Sequence, residues 1–353
     1  MRYSEQHLRQ FVEQVLLTVG VSLSDAQSTA YVLIEADVTG RHTHGVSRLP
    51  LYVNRLESGL ISVNPQLRWS QKMHPTMARL DGGNGLGPAV ALQAVKQSMA
   101  TAKEMGIGAI AVYRSNHCGA LSVYCEMGSR EGLITMAMTN TPPAMAPWGG
   151  QAAYLGTNPI AWGFPRGLQL PPLIIDMATS TVARGNILDA ARLGQPIPLG
   201  WALDSAGVPT TDANAALGGG TVLPTGGPKG YAMALAVEIL TGVLSGAGIG
   251  PTVYNPYKDQ NHESNVGHFF LTMDPQAFLP GSEFYQRLEV MEEQMRRVPA
   301  TSGAQVTLPG DRSAKAREEY TQRGIPLDID LIGQLDQLAQ RLGAAPLSSP
   351  ESL

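Results

Sequence analysis

Charged residues are scarce in this 353-residue sequence. They make up 15% of it, whereas soluble proteins commonly have about a quarter of their residues charged. The formal net charge at pH 7 is only −4, so the chain has no strong field to attract nucleic acid or an anionic membrane surface. The composition therefore predicts small molecules or further copies of the chain as partners, with no nucleic acid and no membrane among them.

Cysteine and long apolar runs are scarce as well. The two cysteines, Cys118 and Cys125, are too few for a disulfide framework or a four-thiolate zinc site, and they fit a reducing compartment. No run reaches the roughly 18 apolar residues of a membrane helix, and the first residues lack the apolar core of a signal peptide. These absences predict a cytoplasmic location.

The few charges are unevenly distributed along the chain. Residues 105–174 contain five ionised side chains, whereas residues 283–330 contain sixteen. A long stretch with so little charge indicates a buried core, a subunit interface or a ligand cavity. The charged stretch indicates solvent-exposed helices.

Hydrophobic spacing predicts helices at both chain ends and strands between them. Helical spacing covers 4–18, 25–38 behind a Ser24-Asp25 cap, and 47–57, and a long helix follows the polar turn DGGNGLGP over 89–103. Further helices are expected after Gly119 and Gly230. Strand-length apolar runs lie at 107–113, 133–138, 160–164, 173–177 and 268–274. The alternation predicts an α/β or α+β core flanked by two helical ends, and the length favours two domains.

The densest group of functional side chains is the run from Arg41 to Arg48, followed by Tyr52. With a helix beginning near Ser47, Arg48 and Tyr52 lie on one face, and His44 lies just ahead of the helix N-terminus. A histidine can exchange a proton near neutral pH, and an arginine can bind a carboxylate through two parallel hydrogen bonds. The alternatives are a turn cap with a surface ion pair, and, with less support, zinc at His42 and His44.

A second group, Ser115-Asn116-His117-Cys118, follows the strand at 107–113. Loops at the carboxyl ends of strands commonly form sites in α/β proteins, which makes His117 a candidate for acid–base chemistry or a cofactor contact. The alternative is a buried histidine bonded to main chain. A Cys118–His117 nucleophile pair is not favoured, because neighbouring side chains rarely face one another.

Dinucleotide binding is not predicted from the usual glycine fingerprint. Gly106-x-Gly108-x-x-Ala111 has the right letters, but it enters a strand instead of leaving one for a helix. A stronger candidate is the turn at 224–231, where flexible backbone, a lysine and a helix N-terminus can hold a pyrophosphate or a carboxylate. Asp176, at the end of a strand and followed by hydroxyl residues, suits ribose or amide contacts, or a turn cap.

Seven segments, in this order, resemble the type 2 malate/L-lactate dehydrogenase family over about Ser4 to Leu338. They are HTHGVSRLPLY at 42–52, SNH at 115–117, GTNPIA at 156–161, DMATS at 176–180, GPKGY at 227–231, GHFF at 267–270 and LPGD at 308–311. The resemblance implies a homodimer that uses NAD or NADP. It also implies a mixed-sheet cofactor domain of non-Rossmann type over 76–282, and a helical domain formed by 1–75 and 283–353.

The resemblance also assigns roles to residues. His44, Thr43 and His117 are expected to be catalytic, with His44 donating the proton. Arg48 is expected to bind the substrate carboxylate, and Tyr52 and Asn116 are expected to contact the other end of the substrate. No metal is expected. The expected cofactor-binding residues are Asn140, Thr157, Asp176, Ala178, Thr179, Ser180, Gly227, Pro228, Lys229, Gly230, Pro309, Gly310 and Asp311.

The expected reaction is hydride transfer between NAD(P)H and a small 2-oxo acid, giving a 2-hydroxy acid. An alternative substrate is a cyclic 2-imino acid such as piperideine- or pyrroline-2-carboxylate. Asn186 weighs against that alternative, because cyclic-imine reductases of this family have Asp at the corresponding place. Thr43 replaces the family's usual Ser and keeps its hydroxyl. A third hypothesis is a cofactor-binding or metabolite-binding protein without catalysis, against which both His44 and His117 argue.

Overall fold

The computed structural model describes residues 1–70, 74–167 and 170–348. Its centre is a mixed sheet with helices packed against it. Numbered along the chain, the strands of the described residues are β1 (Arg2–Tyr3), β2 (Arg68–Trp69), β3 (Met77–Asp81), β4 (Ile107–Ser115), β5 (Ile134–Thr139), β6 (Ile160–Phe164), β7 (Leu173–Met177), β8 (Ala202–Leu203), β9 (Pro209–Thr210), β10 (Thr221–Val222), β11 (Val266–Met273) and β12 (Ile325–Pro326).

Helices occupy both ends of the chain and the connections between the strands. They are α1 (Glu5–Thr18), α2 (Leu23–Val38), α3 (Leu49–Glu57), α4 (Gly87–Met105), α5 (Leu121–Arg130), α6 (Arg184–Arg192), α7 (Ala213–Leu217), α8 (Pro228–Glu238), α9 (Glu283–Arg296), α10 (Asp311–Arg323) and α11 (Ile329–Leu342). Two 3₁₀ turns, His42–His44 and Val46–Arg48, precede α3, and a π-helical turn, Ile239–Val243, continues α8.

Seven strands form the main sheet in the order β2-β3-β4-β11-β5-β6-β7. Strands β3 and β4 are parallel, and the other neighbours are antiparallel. All five strands predicted from apolar runs lie in this sheet. One face packs against α4 and α5 around Phe270, Ile110 and Ala137, which are almost completely buried. The predicted fold class, a mixed-sheet α/β protein, is confirmed.

Two helices begin at other residues than the sequence predicts, and one strand of the main sheet is not predicted. Helix α2 begins at Leu23 and is capped by Ser22, whose side chain accepts from the Asp25 N–H, so the predicted cap at Ser24 is wrong. Helix α3 begins at Leu49 rather than near Ser47, because a 3₁₀ turn precedes it. Strand β3, which the analysis of apolar runs missed, lacks the β-branched residues that mark a strand.

The two chain ends share one hydrophobic core. Strand β1 pairs antiparallel with β12, and residues of α1, α2 and α3 pack with residues of α11. Helices α9 and α10 of the charge-rich stretch bury little: α10 buries no residue completely, and Glu292 is the buried residue of α9. The expectation of solvent-exposed helices in this stretch is confirmed.

The apparent dinucleotide fingerprint has a packing role instead. Gly106 ends α4 in the left-handed region, at φ +83°. A Cβ on Gly108 would lie 2.3 Å from the Ser98 carbonyl oxygen of α4. Gly106 therefore allows α4 to end, and Gly108 allows α4 to pack closely on β4. Both roles agree with a motif that enters a strand.

Within residues 1–70, 74–167 and 170–348, no helix combines the length and the apolar character needed to cross a membrane.

Candidate active site

The two histidines singled out from the sequence lie against each other. The rings of His44, between α2 and α3, and His117, in the loop after β4, stack with centroids 5.6 Å apart and planes 23° apart. Tyr52 of α3 completes the group, with its Oη 2.8 Å from His117 Nδ1. The fold thus brings the two predicted clusters together into one site.

A buried carboxylate fixes the main chain on both sides of His44. Asp37, 1% exposed at the end of α2, accepts hydrogen bonds from the Val46 N–H at 2.7 Å and pairs with His42 Nδ1 at 2.9 Å. A Cβ on Gly45 would lie 2.2 Å from this carboxylate, so only glycine fits there. Sequence reasoning missed Asp37; the available signal was two acidic residues, Glu35 and Asp37, at the end of a largely apolar helix.

The remaining neighbours of His44 leave one ring nitrogen available. Thr43 Oγ1 lies 3.0 Å from His44 Nδ1, and no described residue bonds to His44 Nε2. His42 is engaged with Asp37, and the described residues contain no group of three metal-ligating side chains. The Nε2 atom of His44 is therefore positioned to exchange a proton with a ligand.

Both histidines of the site are held in the neutral form. Burial, with Arg48 and Arg41 adding to it and Asp176 opposing it, lowers the pKa of His44 to about 4. Burial, followed by His44 and Arg48, lowers the pKa of His117 well below its ordinary value. At pH 7 the pair is thus uncharged, and Arg48 supplies positive charge beside it.

Arg48 lies at the edge of the histidine pair. Its Nε donates to the Thr43 carbonyl oxygen, and its Nη1 donates to the hydroxyl of Tyr257. Tyr257 comes from the distant loop between the π turn and β11 and was missed by sequence reasoning. A guanidinium beside two neutral imidazoles is suited to a carboxylate ligand whose reactive carbon lies near His44.

Asn116 braces the loop that contains His117. Its Nδ2 donates to Asn84 Oδ1 and to the Gly85 carbonyl oxygen, both at 2.9 Å, and the residue is 2% exposed. Its Oδ1 is buried without a hydrogen-bond partner in the described part of the chain. A Cβ on Gly87 would lie 2.3 Å from the carbonyl oxygens of Asn116 and His117, so α4 also packs directly on this loop.

Asp176 connects the histidine site to the predicted cofactor segments. It lies at the end of β7, where its Oδ2 accepts from the Ser122 N–H in the first turn of α5 at 3.0 Å. The same oxygen is 3.4 Å from Nε of Arg41, which precedes the His42–His44 turn. Arg41 also donates to Ser313 of α10 at 2.9 Å.

The segments around Thr179 and Gly230 meet directly. The Thr179 carbonyl oxygen accepts from the Thr225 N–H at 2.9 Å, and the Thr179 hydroxyl donates to the Thr157 carbonyl oxygen at the same distance. Ser180 forms a β-bridge with Pro224. A Cβ on Gly230 would lie 2.2 Å from the Thr225 carbonyl oxygen, so glycine is required for this contact.

The start of α8 has the features of an anion site. Gly227 has φ +67°, and Pro228 opens the helix. Lys229 is exposed and forms no hydrogen bond or ion pair with the described residues. First-turn N–H groups of a helix lack intrahelical acceptors and point outward with the positive end of the dipole. The residues present here therefore fit a pyrophosphate.

The Pro309–Asp311 segment reaches β7 just before Asp176. Gly310 has φ +97°, and a Cβ there would lie 3.1 Å from the Ile174 nitrogen. Asp311 pairs with Arg296 at 2.8 Å, which lowers the pKa of its carboxyl. The backbone of this segment therefore packs on β7 at Ile174, and the Asp311 carboxylate is engaged with Arg296.

Two further predicted cofactor-binding residues, Asn140 and Ala178, differ in burial and in their contacts. Asn140 is buried, donates from Nδ2 to the Gly248 carbonyl oxygen at 2.8 Å, and accepts at Oδ1 from the Gly267 N–H at 2.9 Å. Its side chain is therefore engaged in joining the end of β5 to β11. Ala178 is half-buried and lies between Asp176 and Thr179.

The mixed-sheet α/β fold and a site that joins two histidines to an arginine fit an oxidoreductase that acts on a small carboxylic acid. The family model for malate/L-lactate dehydrogenase matches residues 3–336, and the chain belongs to this family. It is 39% identical over 315 residues to "(2R)-3-sulfolactate dehydrogenase (NADP(+))" of Chromohalobacter salexigens, covering 89% of this chain and 90% of that protein.

Two solved structures show the same fold along nearly the whole chain. Sulfolactate dehydrogenase from Methanocaldococcus jannaschii has a TM-score of 0.90 and 34% identity, with 98% of each chain covered. Delta1-piperideine-2-carboxylate reductase from Pseudomonas syringae pvar. tomato has a TM-score of 0.87 and 30% identity, covering 96% of this chain and 100% of that one. The predicted family, fold class and enzyme class are confirmed.

Proposed function

We propose that this protein transfers a hydride between NAD or NADP and a small 2-oxo or 2-hydroxy acid. The observation that supports this most is the joining of His44, His117 and Arg48 into one site. Asp176 pairs with Arg41 just ahead of the His42–His44 turn, and Thr179, three residues after Asp176, accepts from the Thr225 N–H in the turn before α8. Such a reaction needs three elements: a group that exchanges a proton, a group that binds the substrate carboxylate, and a site that binds the cofactor pyrophosphate.

In reduction, Arg48 holds the substrate carboxylate and thereby orients the adjacent carbonyl carbon. His44 Nε2 then donates a proton to the carbonyl oxygen as it gains negative charge. Thr43, at His44 Nδ1, fixes the ring orientation, and His117, held by Tyr52, supplies a second polar contact. When bound, the reduced nicotinamide supplies the hydride.

The cofactor would be held by segments that the fold already brings together. Asp176 and the main chain of Ala178, Thr179 and Ser180 suit ribose and amide contacts, because the two hydroxyls are buried and donate to the Thr157 and Val182 carbonyl oxygens. Gly227–Gly230 suits the pyrophosphate. The Pro309–Asp311 backbone contacts β7, the strand that contains Asp176.

The pH dependence of the two reaction directions is expected to differ. Because the pKa of His44 is lowered to about 4, the free enzyme above that pH has mostly neutral His44. Reduction needs the protonated form, so its kcat/KM should fall about tenfold for each pH unit between 5.5 and 8. Oxidation needs the neutral form, so its kcat/KM should remain level in this range. Steady-state assays in both directions check this, and a level profile for reduction would contradict it.

A second candidate reaction is reduction of a cyclic 2-imino acid, favoured by the likeness to the piperideine-2-carboxylate reductase structure. An iminium substrate arrives protonated, so it does not require a proton from His44. Asn186, where Asp is expected for such reductases, lies exposed on α6.

A side-by-side assay separates the candidates. Purified protein is tested with a panel of 2-oxo acids and with piperideine- and pyrroline-2-carboxylate, each with NADH and with NADPH. We expect the highest kcat/KM for a 2-oxo acid. Higher values for the imines would support the second candidate, and dinucleotide binding without turnover of any substrate would support a non-catalytic protein.

We also infer that the protein is a cytoplasmic homodimer, with the charge-poor stretch 105–174 covered by the partner. Two of its residues, Met136 and Trp162, are half-buried on the sheet face opposite α4 and α5. Val243 and Leu244, at the end of the π turn that continues α8, are exposed. Apolar surface of this kind commonly marks an interface between subunits.

The chain is further proposed to form two domains, 1–75 with 283–353 and 76–282. The shared core of α1, α2, α3 and α11 supports the first, and the second contains six of the seven strands of the main sheet, all but β2.

A further inference from the structure

The loop from Tyr254 to Ser264 lies against the proposed carboxylate site, although it is remote in sequence. Tyr257, 56% exposed, places its hydroxyl on Arg48 Nη1, and the Arg48 guanidinium carbon is 5.7 Å from the Tyr257 ring centroid. The loop is closed at its base by the hydrogen bond from the Tyr254 N–H to the Ser264 carbonyl oxygen at 3.1 Å.

This loop is held by a buried cation. Arg55 of α3 is 2% exposed, and it donates from Nη1 to the Asp259 carbonyl oxygen at 2.6 Å and from Nη2 to the His262 carbonyl oxygen at 2.7 Å. No carboxylate forms an ion pair with Arg55 among the described residues, and its Nε has no partner there. Burying a guanidinium is unfavourable, so its hydrogen bonds to one loop indicate that the loop's position matters.

Arg48, Tyr52 and Arg55 are spaced four and three residues apart, which places them on one side of α3 and the turn before it. Arg48 contacts Tyr257, Tyr52 contacts His117, and Arg55 holds the loop. The same short helix therefore sets both the histidine site and the loop beside it.

The hydroxyl of Tyr257 has a hydrogen still to donate. Its oxygen accepts from Arg48 Nη1, and no described residue accepts the Tyr257 O–H. Arg48 Nε is occupied by the Thr43 carbonyl oxygen, so a carboxylate must bind through the Nη atoms. A carboxylate bound there lies next to Tyr257 Oη.

We propose that Tyr257 is a substrate-binding residue whose hydroxyl donates to the carboxylate beside Arg48, and that Arg55 is the positioning residue that holds Tyr257 there. This inference rests on the proposed function. Tyr257 adds a neutral donor to the cationic one, which raises affinity for a carboxylate without another buried charge. It leaves the proton transfer at His44 untouched.

The test is a double-mutant cycle with Tyr257→Phe and Arg55→Met. A hydrogen bond to a charged group contributes enough for about a tenfold to hundredfold effect. We therefore expect Tyr257→Phe to raise KM for the 2-oxo acid by at least tenfold, with kcat within about twofold of wild type. Arg55→Met should raise KM similarly, but by less than about threefold when Phe already occupies position 257.

A second readout uses oxamate, a carboxylate that accepts no hydride, titrated against the fluorescence of bound NADH or NADPH. Its Kd should rise in parallel with KM, and Tyr285→Phe on α9 should leave both unchanged. An unchanged KM and oxamate Kd for Tyr257→Phe would overturn the inference, as would additive effects of the two substitutions. Wild-type protein that reduces no 2-oxo acid would instead overturn the proposed function.

Discussion

Replacing His44 with alanine is expected to lower kcat for 2-oxo acid reduction by about 10²–10⁴-fold, the usual contribution of a general acid. The other histidine of the site, His117, is engaged at Nδ1 with the Tyr52 hydroxyl and is expected to be a polar contact rather than the proton donor. The measurement is steady-state kcat at saturating substrate and cofactor, near pH 6.

The matched control is His74→Ala, a histidine on the surface whose ring bonds to Thr76. It should retain wild-type kcat. His44→Ala should also retain the wild-type Kd for the dinucleotide and the wild-type Tm, because Asp37 holds the neighbouring main chain through His42 and Val46. If His44→Ala turns over 2-oxo acids at the wild-type rate, His44 is not the proton donor.

Replacing Arg48 with methionine is expected to lower kcat/KM by about 10²–10³-fold. Loss of a charge-assisted carboxylate contact in a partly buried site costs about 2–5 kcal/mol, and each 1.4 kcal/mol corresponds to tenfold. Most of the loss should be in KM. Removal of the positive charge also takes away one of the causes that lower the pKa of His44, so the pH profile for reduction should shift to higher pH.

Arg48→Lys is the informative comparison, because it keeps the charge and loses the planar fork. It should recover the wild-type pH profile while remaining impaired in KM. A normal KM for Arg48→Met would place the substrate carboxylate elsewhere, and the oxamate titration would then locate the loss of binding.

Much of the site was predictable because its motifs are local. His44 and Arg48 lie within one short segment, and proton exchange with carboxylate binding follows from their side chains. The loop with His117 was predictable from its place directly after an apolar strand. The α8 turn combined glycine, proline and lysine before a helical pattern. Each of these signals depends on a few consecutive residues, whose local structure is largely set by their own backbone preferences.

The residues that hold the site were not predictable in this way. Asp37 lies inside helix α2. The Val46 N–H can donate to its carboxylate only when the His42–His44 turn brings Val46 to the end of that helix. Arg55 looks like an ordinary charged helical residue, yet its carbonyl partners are more than 200 positions away. Asn116 and Asn140 are predicted from the sequence to bind substrate and cofactor, but in the fold their side-chain amides donate to partners within the protein.

The sequence by itself determined the enzyme family, the mixed-sheet class, the two histidines and the arginine, because these depend on ordered motifs and short hydrophobic patterns. Only the tertiary structure decided that His44 stacks on His117 and that Tyr257 contacts Arg48. It also decided that buried Asp37 fixes the main chain around His44 and that buried Arg55 fixes the loop containing Tyr257. The physical reason is that burial and hydrogen bonding of charged groups depend on which distant elements pack together. The spacing of residues along the chain does not specify those contacts.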